Sequence, residues 1–259
     1  MQAVGQSLHN LWLIIKHEFE HYFQSPIIYI IGGIWLFFAG FFFILSLGQF
    51  TGLVGSGSSG GTTEPSMYGT LSPMTFLMMF FAPAFTMHLI SEEVRQGTHE
   101  LLFTSPIRDW EIVVGKWLGA WGVMTILEII TLLFPLVLFL GGNPEPGTVI
   151  AGYVGFVLWT GASLAIGVFC SSTTQLQLVA YIEGFFVLLF LWLAYLPSQV
   201  ITNPAVNAVL TDLTITNHYN DTMLQRGIID PVDVAYFVGI MAISLFVGTQ
   251  ILSTRRWRS

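Results

Sequence analysis

Charge is scarce in this sequence of 259 residues. Only 9% of them are Asp, Glu, Lys or Arg, whereas 54% are hydrophobic and the mean hydropathy is +0.72. A soluble globular domain carries about a quarter of charged residues, so this composition excludes an ordinary soluble domain and predicts a chain embedded in lipid. With eight Lys and Arg residues and a net charge of −7, we expect no nucleic-acid partner.

Cysteine is nearly absent as well. Cys170 is the only one, which excludes a disulfide within the chain and leaves packing as its expected role. The first 25 residues also lack the basic, apolar and small-residue order of a cleavable signal peptide. We therefore expect the N-terminus to be retained.

Long apolar runs are abundant, and they predict an all-α integral membrane protein. Each run is close to the roughly 20 residues that a helix needs to cross a hydrocarbon core of about 30 Å. Pro83 is expected to kink the second span, because proline removes a backbone hydrogen bond. The transmembrane domain covers residues 26–253, with spans predicted at residues 26–47, 73–90, 117–140, 149–170, 176–196 and 232–252.

Residues 1–25 predict an amphipathic helix that lies on the membrane surface. Its segment HEFEH, residues 17–21, also matches H-E-x-x-H, in which two histidines one turn apart bind zinc and the glutamate activates a water. We favour the surface helix, because catalytic zinc needs a third protein ligand and no second motif supplies one. The apolar face of the helix consists of Leu8, Leu11, Trp12, Ile15, Phe19 and Tyr22, opposite Lys16, His17, Glu20 and His21.

The basic residues predict the orientation of the chain. Seven fall on one side of the predicted spans and Arg226 alone on the other. By the positive-inside rule both termini, residues 91–116 and a basic tail at residues 254–259 are cytoplasmic. The segment 197–231 is then extracytoplasmic and a candidate site for an external partner. The seven residues are Lys16, Arg95, Arg108, Lys116, Arg255, Arg256 and Arg258.

Residues 91–116 hold eight of the 23 charged side chains in about a tenth of the length. Large apolar groups alternate with these charges, and Ser105-Pro106 interrupts the pattern, which favours two short helices at an angle. A solvated connector is the simpler interpretation. Because a connector has no need of so many large apolar groups, we favour a docking element that fits a groove on a soluble partner.

Five segments together resemble one family of membrane proteins. The stretch EEVRQGTHELLFTSPIRDWEIVVGKW after the second span resembles the corresponding stretch of ABC-2 type permeases, the membrane subunits of ATP-binding-cassette transporters. Within that group the chain is most similar to gliding-motility-associated permeases. The other four segments, in chain order, are KHEFEHYFQSPIIYI, PAFTMHLISEE, SLAIGVFCSSTTQLQ and HYNDTMLQRGIIDPVDVAYF.

The resemblance implies two permease subunits side by side and two separate ATPase subunits beneath them. The chain lacks the phosphate-binding loop G-x-x-x-x-G-K-[ST], so we expect ATP and Mg²⁺ on the ATPase, no catalysis by this chain, and no cofactor or metal on it. In or beside the implied coupling loop lie Glu92, Glu93, Gly97, Glu100, Leu101, Leu102, Pro106 and Lys116, and the charge pattern adds Arg95 and Glu111.

Two acidic residues lie inside predicted spans, Glu128 in the third and Glu183 in the fifth. A carboxylate at the centre of a bilayer costs about 2.5 to 3.5 kcal/mol unless it is paired, protonated or in contact with water. The functional interpretation is a translocation path or a proton site. The simpler one is a protonated carboxyl group that is hydrogen-bonded to a neighbouring helix. Gly115 and Gly119 form a GxxxG pair that would allow close helix packing.

The expected function is that of a permease subunit of an ATP-driven exporter in a bacterial inner membrane, in contact with lipid and with a second permease subunit. A first alternative uses ATP to transmit force to an external partner without cargo. A second is a proton-coupled secondary transporter that uses Glu128 and Glu183, and a third is the zinc peptidase. The sequence predicts neither the substrate nor whether the two permease subunits are identical.

Overall fold

A computed structural model describes residues 2–51, 66–96, 108–194 and 212–256, together with residues 196, 206 and 210. The regular structure in these ranges is helical throughout, as predicted. The helices are α1 (Gln2–Gln24), α2 (Pro26–Phe50), α3 (Tyr68–Thr86), α4 (Ser91–Gln96), α5 (Asp109–Thr131), α6 (Leu133–Gly141), α7 (Pro146–Thr173), α8 (Gln177–Leu193), a π-helix (Asn217–Gln225) and α9 (Pro231–Arg256).

Five helical stretches are long and apolar enough to cross a membrane, and they correspond to five of the six predicted spans. The remaining predicted span, residues 176–196, contains α8, which is apolar but has only 17 residues. At 1.5 Å per residue α8 is about 26 Å long, the lower limit for crossing a bilayer, so the sixth span stays a prediction. The five stretches are Ile28–Gln49, Tyr68–Arg95, Asp109–Gly141, Pro146–Thr173 and Pro231–Thr254.

The helix of the third span begins at Asp109, whereas the charge pattern predicted a cytoplasmic loop as far as residue 116. Acidic side chains in the first turn, those of Asp109 and Glu111, complement the positive end of the helix dipole. The carboxylate of Glu111 also accepts a hydrogen bond from the backbone N–H of Arg108 at 3.2 Å. Glu111 and Lys116 consequently lie on α5 rather than in a loop.

The central helix of the bundle is α7, which packs against α3, α5, α8, α9 and the π-helix. Its small residues permit this close packing, since a Cβ atom at Gly155 would lie 2.5 Å from the sulfur of Met223. The indole Nε1–H of Trp117 on α5 donates a hydrogen bond to the Gly161 carbonyl oxygen at 2.9 Å. The position of α5 relative to α7 is thus fixed by a polar bond as well as by packing.

Large apolar side chains are exposed on the outer faces of α2, α6 and α9. Phe37 is 67% exposed, Leu140 84% and Phe246 63%. In water such a surface would be unfavourable, whereas in a bilayer it contacts lipid tails. This distribution fits a multi-pass membrane protein.

The π-helix lies in the predicted segment 197–231 and packs onto the bundle. Tyr219, Met223 and Leu224 are buried against α7 and α3, and the Tyr219 hydroxyl donates to the Gly152 carbonyl oxygen at 3.3 Å. The Nδ1 atom of His218 lies 2.7 Å from Oδ1 of Asp233, which stands at the start of α9. The π-helix within this polar segment is therefore part of the folded core.

Candidate coupling site

A buried lysine joins three helices. The Nζ atom of Lys116 on α5 lies 2.6 Å from Glu18 Oε1 on α1 and 2.9 Å from Glu93 Oε1 on α4. The side chains of Lys116, Glu18 and Glu93 are 6%, 11% and 30% exposed. A charge this far from water is stable only when it is paired. We call these three residues the ion-pair cluster.

A glycine face on α5 permits the approach of α1. A Cβ atom at Gly119 would lie 2.8 Å from the Cβ of Glu18, and one at Gly115 would lie 2.7 Å from Cγ2 of Ile14. Real Cβ atoms essentially never come so close to another heavy atom, so any larger side chain would displace α1. Gly115 and Gly119, the GxxxG pair predicted to allow close helix packing, thus form the contact surface for α1. This contact brings Glu18 within reach of Lys116.

A tyrosine ties α1 to the end of α3. The hydroxyl of Tyr22 donates a hydrogen bond to the backbone carbonyl of Phe85 at 2.8 Å. Burial, with a smaller contribution from the nearby Glu18 carboxylate, raises the pKa of the Tyr22 phenol well above its ordinary value. The phenol therefore keeps the proton that this hydrogen bond requires.

The short helix α4 also contacts α8. The side-chain amide of Gln177 at the start of α8 donates to Glu92, and Arg95 forms an ion pair with the same carboxylate. Together with the pair between Glu93 and Lys116, these contacts hold α4 between α5 and α8. A displacement of α4 would consequently act on both helices.

Ser171 stabilises the break between α3 and α4. Its Oγ accepts hydrogen bonds from the backbone N–H groups of Ile90 and Ser91, both at 3.1 Å, and donates to the carbonyl oxygen of Met87 at 3.0 Å. A hydroxyl has one donor and two acceptor lone pairs, so these three bonds use its full capacity. A single side chain of α7 therefore satisfies the backbone at the bend that sets the direction of α4.

Glu111 makes a second link between α5 and α1. Its carboxylate accepts from the Ser7 hydroxyl and lies 3.5 Å from the amide nitrogen of Asn10. The side chain is buried, and the same carboxylate caps the first turn of α5. Two buried acidic groups, Glu111 and Glu18, thus bind across the α1–α5 interface.

Comparison with known families identifies the chain. A sequence model of ABC-2 family transporter proteins matches residues 12–257, nearly the whole length. The chain belongs to the ABC-2 transporter family. This ABC-2 permease has no match among curated proteins. Members of the family are membrane subunits that work with ABC ATPase subunits and form dimers, and they are not themselves catalytic.

The predicted coupling residues of the ABC-2 permease divide into two groups. The structure brings Glu93 and Lys116 together, pairs Glu92 with Arg95, and places Glu111 against α1. The other group lies outside the described residues, between the end of α4 and the start of α5, and comprises Gly97, Glu100, Leu101, Leu102 and Pro106.

Glu128 and Glu183, the two glutamates inside predicted spans, are hydrogen-bonded to α7 at different positions along the helix. Glu128 is buried and accepts from the Thr160 hydroxyl, whereas Glu183 accepts from Thr173. Thirteen residues separate the two threonines, about 20 Å along the helix. The structure does not bring the two carboxyl groups into one site.

His17 and His21 of the H-E-x-x-H match are exposed, whereas Glu18, the glutamate at the second position of the motif, faces Lys116. Within the described ranges no group of three His, Cys, Asp or Glu side chains is arranged to hold a metal. The motif in this permease therefore lies on α1, where its glutamate Glu18 forms an ion pair with Lys116.

Among the residues of the site, Glu18, Ser171 and Gln177 were not predicted as coupling residues from the sequence. A signal existed for Glu18, because it follows Ile15 by three residues and precedes Tyr22 by four, which places it inside the apolar face of α1. An acidic residue on an apolar helix face predicts a buried partner. No comparable local signal marks Ser171 or Gln177.

Proposed function

We propose that the chain is the permease subunit of an ATP-binding-cassette exporter in a bacterial cytoplasmic membrane. Two permease subunits would act with two separate ATPase subunits that carry ATP and Mg²⁺. Within the family, we retain the resemblance to gliding-motility-associated permeases as part of this proposal. The proposal goes beyond family membership in three respects: the direction of transport, the coupling to ATP hydrolysis and the pairing of two permease subunits.

The observation that supports the proposal is the ion-pair cluster beside the charged segment. Residues 97–107 follow α4 directly and precede α5, and Glu93 and Lys116 link these two helices. A soluble partner that binds residues 97–107 would therefore apply its motion to helices that are joined by buried charges. Lys116 loses a carboxylate partner only at a high energetic cost, because its ammonium group is buried and water does not replace the lost partner.

Movement would then spread from α4 to α5 and α1. Lys116 transfers a displacement of Glu93 to α5, and Glu18 transfers it to α1. The bend at Met87–Ser91 separates α4 from α3, so α4 would move while Ser171 keeps the bend attached to α7. The spans would rearrange as rigid helices, and the segment 197–231 would shape the outer gate of the path.

The proton-coupled alternative has less support. Thr160 and Thr173, the hydrogen-bond partners of Glu128 and Glu183, are about 20 Å apart along α7, so the two carboxyl groups lie too far apart for direct proton transfer. Transmission of force to an external partner shares the same input through α4 and differs only in its output. Both the export and the force hypotheses require an ATPase partner.

Co-purification tests the proposal. A tagged chain is isolated in mild detergent, bound proteins are identified by mass spectrometry, and ATP hydrolysis is measured. We expect an ABC ATPase with the wild type and its loss with Glu100→Arg or Leu102→Asp. The variant Glu20→Arg is the matched control, because Glu20 is an exposed residue of α1 outside the cluster. Absence of an ATPase while the chain remains folded contradicts the proposal.

A further inference from the structure

A cavity of about 400 Å³ opens at the end of the bundle opposite the ion-pair cluster. It lies between the first turns of α3, the last turn of α8 and the π-helix. This volume falls in the range of small-molecule sites. The cavity belongs to neither the coupling site nor the contacts of Glu128.

Aromatic rings form one wall of the cavity. Phe76 and Trp192 meet edge to face with ring centroids 5.4 Å apart, and Tyr68 stands at the first residue of α3. Tyr68 and Phe76 are 38% and 40% exposed. Tryptophan and tyrosine are common at both membrane interfaces as anchors. Here, however, the rings converge on a concave surface that they share with polar side chains.

The π-helix supplies the opposite wall with Asn217, Asn220 and Asp221. The Oδ1 atom of Asn220 is buried and has no hydrogen-bond partner among the described residues. An unsatisfied buried carbonyl is costly, so a rotation of the Asn220 amide toward the cavity, where a ligand can donate a hydrogen bond to it, is favourable. Short π-helical segments occur frequently at functional sites. The hydroxyls of Ser72, Thr75 and Thr216 add further donors and acceptors.

The charge of the cavity restricts its ligand. Asp221 is the only charged residue among the described side chains that line it, and no lysine, arginine or histidine is among them. Phosphate, sulfate and carboxylate groups are therefore disfavoured. Asp221 is exposed, so water screens its attraction for cations. Amides and hydroxyls beside aromatic rings instead match a ligand with many neutral hydroxyl groups and apolar C–H faces.

We propose that this cavity binds a neutral carbohydrate, which packs its C–H face on Phe76 and Trp192 and donates a hydroxyl hydrogen bond to Asn220. The assignment does not depend on coupling to an ATPase. It is therefore testable on the permease alone, and its failure would leave the proposed function standing.

Titration calorimetry on the permease in lipid nanodiscs tests this assignment. Alkyl-glycoside detergent must be absent, because its sugar headgroup would compete for the cavity. The probes are glucose, N-acetylglucosamine, maltotriose and chitotriose, with glucuronate and choline for comparison. We expect at least one neutral saccharide to bind with a Kd of about 1 mM or lower, and neither charged probe to bind as tightly.

Variants localise the binding. Asn220→Ala and Trp192→Ala should each raise the Kd about tenfold or more. Asn143→Ala should leave it unchanged, because Asn143 is an exposed asparagine in the connection between α6 and α7. Tyr68→Ala, at an exposed position, replaces either pocket variant that fails to fold. The proposal is overturned if no saccharide binds to folded protein, if choline binds more tightly than the saccharides, or if the pocket variants bind like the wild type.

Discussion

A lysine inside a membrane protein needs a partner for its charge in every conformation that the protein adopts. Lys116 has two carboxylate partners, Glu18 and Glu93, on two other helices. Removing one member of a buried ion pair typically costs about 3 to 5 kcal/mol, because the remaining charge stays desolvated. The chain also carries an exposed lysine–glutamate pair, Lys16 with Glu20, at 3.7 Å. Exposed pairs contribute about 0.2 to 1 kcal/mol.

We therefore predict a large difference between two identical substitutions. Lys116→Met should lower the free energy of unfolding by about 3 kcal/mol, and Lys16→Met by under about 1 kcal/mol. Thermal unfolding in nanodiscs measures both. Glu18→Gln should have an intermediate effect, because Lys116 keeps Glu93. Equal losses for the two lysine variants would show that the buried cluster does not stabilise the fold.

Ser171 allows a second prediction at this scale. Ser171→Ala removes the acceptor for the backbone N–H groups of Ile90 and Ser91, so we expect a loss of about 1 to 3 kcal/mol and faster amide exchange between Met87 and Gln96. Hydrogen exchange with mass spectrometry locates the effect. The matched control is Ser172→Ala, because among the described residues that hydroxyl bonds only to the Phe169 carbonyl oxygen within α7. Unchanged exchange at the bend in Ser171→Ala would contradict this role.

At the scale of elements, the glycine face of α5 sets the position of α1. Gly119→Ala would place a methyl group 2.8 Å from the Cβ of Glu18, so α1 must shift and the ion-pair cluster must lengthen. We predict a destabilisation of about 1 to 3 kcal/mol, typical of overpacking. Gly239→Ala on α9 is the control, since nothing lies within 4 Å of its added Cβ atom. It should be neutral or slightly stabilising, because alanine is the better helix former. Similar effects of the two variants would exclude close packing of α1 on α5.

Five of the six spans were predictable as long apolar helices, because an apolar run of bilayer length in a chain with so little charge favours a membrane-spanning helix. The start of α5 at Asp109 was not, since Asp109 and Glu111 resemble a polar loop until their position at the helix dipole is known. The π-helix was also not predicted from the sequence. Its sequence is polar, and it is buried through Tyr219, Met223 and Leu224, whose partners on α7 lie far away in the chain.

The candidate site was only partly predictable for a similar reason. The charge density marked the segment 91–116, the family resemblance implied Glu92, Glu93 and Lys116 within it, and the GxxxG pair indicated a helix contact. The partner of Lys116 on α1 could not be identified from the sequence. Glu18 precedes Lys116 by 98 residues, and no local pattern links the two. Ion pairs between distant helices depend on tertiary packing, which composition and periodicity do not report.

At the scale of the whole molecule, the ion-pair cluster lies at one end of the bundle and the aromatic cavity at the other, with α3 and α7 passing between them. Glu128 lies on α5 between these ends and bonds to Thr160 on α7. In the proposed mechanism it joins two helices and carries no proton across the membrane. A glutamine amide oxygen would accept the same hydrogen bond.

We accordingly predict that Glu128→Gln keeps ATP hydrolysis by the co-purified complex within about twofold of the wild type. The rate should respond to neutral and acidic pH as in the wild type. Thr160→Val, which removes the donor, should destabilise the bundle more than Glu128→Gln does. Proton flux in proteoliposomes that disappears with Glu128→Gln would instead favour a secondary transporter.

The central claim is that ATP acts on the membrane helices through the ion-pair cluster. Hydrogen exchange in α1, compared with and without nucleotide in the permease–ATPase complex, measures this most directly. We predict that nucleotide changes exchange in α1 of the wild type and of Lys16→Gln, and that the change is lost in Lys116→Gln and in the neutral double variant Glu18→Gln/Lys116→Gln. A nucleotide response in α1 that persists in folded Lys116→Gln, or that is absent from the wild type, would contradict it.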